Sequence, residues 1–90
     1  MQKDSVKMIE DALEVLELPT FINLQELKKR YREVASKNHP DFGGDETSMA
    51  KINRAFELLK EYMVNFRFSF TKEEIYKQYP QDEYVSKFRF

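Results

Sequence analysis

Apolar residues recur at steps of three and four in three successive segments of the chain, which is the spacing of one face of an α-helix. The three stripes comprise Val6, Ile9, Leu13 and Leu16, then Leu24, Leu27, Tyr31, Val34 and Ala35, then Met49, Ile52, Phe56, Leu59 and Met63. The pattern predicts helices over about 5–18, 24–38 and 45–63. A short loop joins the second and third helices, so we expect these two to pack antiparallel, with the first closing the core across them.

Prolines and capping residues mark the ends of these helices. Pro19 is expected to stop the first helix, and Asn23 with Glu26 forms a capping pair for the second. Pro40 disfavours a helical conformation in the residue before it, so the second helix is expected to end there. Asp45 is placed to cap the third. The chain up to residue 65 is therefore predicted to be an all-α core.

The pattern changes after residue 65, where Phe66, Phe68 and Phe70 alternate with polar residues in a period of two. This alternation predicts an extended segment. Thr71 and Glu74 form a second capping pair, which predicts a short helix that ends before Pro80. Residues 87–90 repeat the aromatic and basic alternation, so the two runs could pair as a small ribbon or cover the core. We interpret 66–90 as an extension packed on the core.

Composition limits the kinds of protein this chain can be. Ninety residues, 41% of them hydrophobic, support one small domain with a thin core, which argues against a multi-domain enzyme with a deep cleft. The absence of cysteine excludes disulfides, thiolate catalysis and zinc fingers. Uncharged runs are too short for a membrane span, and the first residues are too acidic for a secretory signal. The segment is expected to be cytoplasmic, without membrane contact.

The net charge of −1 conceals an asymmetry between segments. Residues 4–18 contain five acidic side chains against one lysine, whereas residues 24–38 contain five basic side chains against two glutamates. Solvated charges on separate helices contribute little to stability. The basic surplus of the second helix therefore indicates a surface for a partner.

Two stretches of the chain carry a recognisable pattern. Residues 24–41 spell LQELKKRYREVASKNHPD, and residues 51–59 spell KINRAFELL. Together they form a basic helix with a central tyrosine, a His-Pro-Asp loop and a third helix with an Ile-x-x-Ala-aromatic-Glu-x-Leu pattern. This set resembles the J-domain of DnaJ-type co-chaperones over roughly residues 11–63. The resemblance implies an antiparallel helical hairpin closed by the first helix.

The resemblance also implies that the domain itself catalyses no reaction and binds no cofactor. A J-domain binds the ATP-bound form of a seventy-kilodalton heat-shock chaperone, at its nucleotide-binding domain and interdomain linker, and accelerates ATP hydrolysis so that the chaperone captures its client. Carried over to this chain, the trigger would be His39, Pro40 and Asp41. The docking face would be Lys28, Lys29, Tyr31, Arg32 and Lys37.

The chain departs from the family pattern in several places. Asn38 precedes the tripeptide where an aromatic residue is usual, Phe42 follows it where a basic residue is usual, and Met49 stands where phenylalanine is common. Glu17 occupies the usual glycine position after the first helix. The sequence shows no Gly/Phe-rich linker, zinc-binding module or client-binding domain, so we expect a single J-domain.

The same residues would also be used in three other kinds of site, each of which the sequence disfavours. His39 could act as a general base, but no nucleophile is evident beside it. A metal site from His39, Asp41, Asp45 and Glu46 matches no known ligand spacing. A nucleic-acid-binding helix-turn-helix would need a shorter loop, and an isoelectric point near 5.9 is unlike that of such proteins. The phenylalanines after residue 65 could form a patch for a client or second protein, although we favour sealing of the core.

Overall fold

The computed structural model describes residues 4–80, which contain helices and turns and no β-strand. The four α-helices are α1 (Ser5–Val15), α2 (Leu24–Asn38), α3 (Glu46–Val64) and α4 (Lys72–Gln78). A single 3₁₀ turn, Pro40–Phe42, lies in the connection between α2 and α3. The all-α prediction is confirmed. Within the described range, no helix is both long and apolar enough to cross a bilayer.

Side-chain caps fix the starts of the helices where the sequence predicts them. At α2 the Asn23 side chain accepts from the Glu26 amide at 2.8 Å, and the Glu26 carboxylate accepts from the Asn23 amide at 2.7 Å. The Asp45 carboxylate accepts from the Ser48 amide at 2.7 Å and so caps α3. These bonds satisfy amide groups that have no partner within the helix. The predicted starts of α2 and α3 are confirmed.

The end of α1 differs from the prediction, because the helix stops at Val15 rather than near residue 18. Glu17 adopts a left-handed conformation with φ of 53°. Its amide donates to the Glu14 carbonyl at 3.0 Å, and the Leu18 amide donates to the Leu13 carbonyl at 2.9 Å. This pair of bonds is a Schellman motif, which ends a helix and satisfies its last carbonyls. The helix therefore ends before Pro19 can stop it.

The left-handed conformation of Glu17 gives a stability prediction. A side chain in this region costs about 1–2 kcal/mol, whereas glycine adopts it without a clash but loses more chain entropy on folding. We expect Glu17→Gly to raise the free energy of unfolding by roughly 0.5–1 kcal/mol, measured by urea denaturation. Glu10→Gly, within α1, is the control and should lower it by about 1 kcal/mol. If both substitutions lower the free energy of unfolding, the assignment of Glu17 to the left-handed position after α1 is wrong.

The core lies where α1 and α2 each pack against α3. Its buried members come from the three helices and from the residue that follows α1: Ala12, Leu16, Leu27, Ile52, Ala55 and Leu59. Halfway along the α2–α3 contact, the rings of Tyr31 and Phe56 stack with centroids 4.2 Å apart. Because residue 38 of α2 and residue 46 of α3 are joined by the short connection, this mid-helix contact makes the pair antiparallel. The predicted hairpin closed by the first helix is confirmed.

Of the five phenylalanines that follow α3, the three within the described residues do not seal the core, contrary to our interpretation. Phe66, Phe68 and Phe70 are 49%, 69% and 83% exposed. Phe66 instead contacts Tyr62, with ring centroids 5.9 Å apart, and Phe68, at 5.4 Å. The three main helices already supply the buried core, so Phe66 and Phe68 pack on each other, and Phe66 packs on Tyr62 in the last turn of α3. The suggested pairing with residues 87–90 lies outside the described residues.

Candidate functional site

The loop between α2 and α3 is held by its own backbone. His39 is extended, with φ of −66° and ψ of 138°, as a residue before proline is expected to be. Its carbonyl accepts two hydrogen bonds, from the Phe42 amide at 2.8 Å and from the Gly44 amide at 3.1 Å. The Gly43 amide donates to the Pro40 carbonyl at 3.3 Å. These bonds fold the residues after His39 into one compact turn.

Two glycines allow this turn to close against the end of α2. Gly43 has a φ of 90°, which side-chain-bearing residues rarely adopt. A Cβ atom at Gly44 would lie 1.8 Å from the carbonyl oxygen of Asn38, closer than any real contact. The Asn38 side chain in turn donates to the Val34 carbonyl at 2.8 Å. Glycine is therefore required at both positions for the turn to form. The sequence did not predict the close approach of Gly44 to the Asn38 carbonyl.

The His39 ring and the Asp41 backbone are joined, while the Asp41 carboxylate faces outward. His39 Nδ1 accepts from the Asp41 amide at 3.1 Å. Asp41 Oδ2 lies 3.5 Å from the same nitrogen, a distance that makes an ion pair only when the ring is protonated. The Asp41 side chain is 81% exposed and that of His39 is 51% exposed. The ring thus orients the residue whose carboxylate is presented to solvent.

The predicted basic side chains of α2 are exposed along the helix that leads into this loop. The cationic members of the predicted face are Lys28, Lys29, Arg32 and Lys37, and all four are exposed. Within residues 4–80 none of them is in a salt bridge, whereas Arg30 pairs with Glu33 at 3.5 Å. These cations, which we call the basic face, are therefore available to an acidic surface.

Tyr31 lies apart from the basic face, in the contact between α2 and α3. Its ring stacks on Phe56, and its hydroxyl donates to Asn53 Oδ1 at 2.7 Å. The residue is half-buried. Its predicted role in docking stays a prediction, and the contacts assign it a clear part in holding the hairpin. Asn53 was missed as the partner of Tyr31, because nothing in the spacing of α3 identifies which polar residue meets the tyrosine.

The acidic residues beside the loop serve the start of α3. The backbone hydrogen bond from Ser48 holds the pKa of Asp45 below its ordinary value of 3.8. This is the behaviour of a capping carboxylate at a helix N-terminus. Among the described residues, no group of three histidine or acidic side chains is arranged to hold a metal ion.

A shallow apolar groove of about 770 Å³ lies between α1 and the second half of α3. Its apolar lining includes Val6, Ile9, Leu13, Leu58 and Tyr62. Neither His39 nor Asp41 lines it. The loop that carries the exposed imidazole and carboxylate is thus separate from this groove.

A helical hairpin closed by a third helix, with a His-Pro-Asp turn at its bend, defines the fold of a J-domain. The family model of the DnaJ domain matches residues 11–63, more than half of the chain. The chain belongs to the DnaJ domain family. This finding confirms the resemblance on which the sequence interpretation depends.

Several named relatives align with most of this chain. It is 41% identical over 69 residues to chaperone protein dnaJ A6 of Oryza sativa subsp. japonica, covering 77% of this chain and 15% of that protein. It is 38% identical over 69 residues to chaperone protein dnaJ 3 of Arabidopsis thaliana, covering 77% of this chain and 14% of that protein.

A third relative has a different architecture. The chain is 36% identical over 73 residues to the tetratricopeptide repeat and J domain-containing co-chaperone DNJ1 of Mycosarcoma maydis, covering 81% of this chain and 11% of that protein. The chain thus spans about one seventh or less of the length of these relatives. No solved structure matches it.

Proposed function

We propose that this chain is a co-chaperone module that docks on a seventy-kilodalton heat-shock chaperone and stimulates its ATP hydrolysis, promoting client capture. The observation that carries the proposal is the hydrogen-bonded turn that presents the Asp41 carboxylate, 81% exposed, at the end of a basic helix. Membership of the DnaJ domain family and the names of the relatives support the same role.

The basic face suits the docking step of this function. Exposed lysine and arginine side chains attract an acidic partner over distances of the order of the Debye length, about 10 Å at 0.1 M salt. Such attraction raises the association rate more than it raises the final affinity. A module that must leave the chaperone after each cycle needs fast, reversible binding, so we propose that these cations steer the encounter.

Asp41 suits the stimulating step. A carboxylate and a guanidinium form a short, charge-assisted hydrogen bond that has a defined direction. A contact of this kind changes a partner's conformational equilibrium only if one state of the partner makes it better than another. We propose that Asp41 pairs with an arginine of the chaperone, near the junction of its nucleotide-binding domain and interdomain linker, in the state that hydrolyses ATP.

The same geometry supports a non-enzymatic role for the module itself. His39 uses Nδ1 to accept the Asp41 amide, and the groove between α1 and α3 does not include it. General acid–base catalysis requires the acting nitrogen to reach a bound substrate.

The exposure of Phe66, Phe68 and Phe70 supports the further expectation that residues 66–70 contact a client or another protein.

The proposal is tested by single-turnover hydrolysis of ATP bound to the cognate heat-shock chaperone, with and without this chain. We expect a saturable rate increase of about tenfold or more, which requires lowering the barrier by about 1.4 kcal/mol. The chain without the chaperone should release no phosphate. An unchanged rate at saturating chain concentration would refute the proposal, and tight salt-dependent binding to DNA or RNA would favour the helix-turn-helix alternative.

A further inference from the structure

We propose that Phe42 is an apolar anchor of the docking surface, so that the partner presents an apolar patch immediately beside the cation that meets Asp41. This inference rests on the proposed function and adds the chemistry of the partner's surface to it. It concerns a residue that the sequence marks only as a departure from the family pattern.

Phe42 has no visible part in holding the fold together. Its side chain is 75% exposed, although phenylalanine is a residue that folding normally buries. Among the described residues, the aromatic ring that it contacts is that of His39, with centroids 6.2 Å apart and planes at 63°. It belongs neither to the buried core nor to the apolar residues packed around it. A phenylalanine side chain carries on the order of 150–250 Å² of surface that a partner could cover.

The backbone of Phe42 is already fixed in the free protein. Its amide donates to the His39 carbonyl at 2.8 Å, and the next residue, Gly43, closes the turn through the Pro40 carbonyl. A segment that is ordered before binding loses less conformational freedom on binding. Aromatic residues, phenylalanine among them, are enriched at the centres of protein interfaces. The turn that orients Asp41 therefore also offers a pre-positioned aromatic ring.

Because Asp41 and Phe42 are adjacent in the turn, the proposal specifies the chemistry of the partner's surface. Consecutive Cα atoms are about 3.8 Å apart and both side chains are exposed, so a partner that pairs with Asp41 comes within reach of the Phe42 ring. The partner must therefore carry an apolar patch next to a guanidinium. The two contacts respond differently to salt, because screening weakens the charge interaction and leaves the burial of apolar surface largely unaffected.

The test compares Phe42→Ala with Phe42→Leu in titrations of single-turnover ATP hydrolysis at about 0.05 M and about 0.5 M salt. We expect Phe42→Ala to raise the half-saturating concentration about tenfold at both salt concentrations, equivalent to about 1.4 kcal/mol. The maximal rate at saturation should be retained. Phe42→Leu should recover most of the loss, since it restores apolar area. Circular dichroism should show unchanged helix content in both variants.

Two results would overturn this inference. One is a half-saturating concentration for Phe42→Ala within twofold of the unmodified chain, and the other is a loss that disappears at high salt. Asp41→Asn, measured beside them, separates this outcome from failure of the proposed function. If the unmodified chain stimulates and Asp41→Asn does not, while Phe42→Ala is unaltered, only the anchor is refuted. If the unmodified chain itself fails to stimulate, the proposed function is refuted first.

Discussion

Asp41→Asn is expected to remove nearly all stimulation of the chaperone's ATPase while leaving the fold intact. The substitution keeps the size of the side chain and removes its charge. The contact that holds residue 41 in the turn uses its backbone amide and His39 Nδ1, so it survives the change. A hydrogen bond to a charged group is worth roughly 1.5–3 kcal/mol, enough to account for a stimulation of about 10- to 150-fold, so its loss should return the rate close to that of the chaperone alone.

Single-turnover ATP hydrolysis at saturating concentrations of the variant measures this effect, and thermal unfolding checks the fold. Asp11→Asn is the matched control, because it removes one carboxylate from an exposed pair with Lys7 on α1, away from the loop. Such surface pairs contribute little to stability. The control should therefore stimulate like the unmodified chain. Full stimulation by Asp41→Asn, or an equal loss in the control, would contradict the assignment of Asp41 as the trigger.

The features of this fold that the sequence predicts best are those set by residues close together in the chain. The capping pair of Asn23 and Glu26 forms both of its expected hydrogen bonds. Asp45 caps α3, and Pro40 leaves His39 extended at the end of α2. Each of these interactions spans three residues or fewer, so the local sequence contains both partners.

The end of α1 was mispredicted because hydrophobic spacing does not distinguish a helix from the turn that ends it. Leu16 is fully buried and Leu18 packs against the core, so both positions continue the apolar pattern. The chain nevertheless leaves the helix at Leu16, through a Schellman motif with a glutamate in the position that glycine normally occupies. Because Glu17 is not a glycine, the residues themselves offered only Pro19 as a stop signal, although the family pattern places a glycine after the first helix at position 17.

Contacts between distant residues were also beyond the reach of the sequence. A period of two indicated an extended segment after α3 but not which surface its phenylalanines contact. The close approach of Gly44 to Asn38 and the bond from Tyr31 to Asn53 depend on how the two helices of the hairpin are set against each other. For the candidate site, the residues could be named in advance, whereas the backbone bonds that orient them required the structure.

The basic face leads to the second large expected effect, which is an effect on docking rather than on stimulation. We expect Lys28→Glu combined with Lys29→Glu to raise the half-saturating concentration by roughly 10- to 100-fold at about 0.01 M salt, where the Debye length is about 30 Å. Both side chains are exposed and in no salt bridge within residues 4–80, so the reversal leaves the hairpin intact. Titrations of single-turnover ATP hydrolysis measure the shift.

Salt and position together distinguish steering by the basic face from a general effect of charge. At about 1 M salt the Debye length falls to about 3 Å, so the double variant should approach the unmodified chain. Lys72→Glu combined with Lys77→Glu changes the net charge equally but lies on α4, and it should shift the half-saturating concentration little. A loss that persists undiminished at high salt, or an equal loss in the α4 variant, would mean that α2 does not steer the partner. In that case Asp41 and its turn would have to account for recognition as well as stimulation.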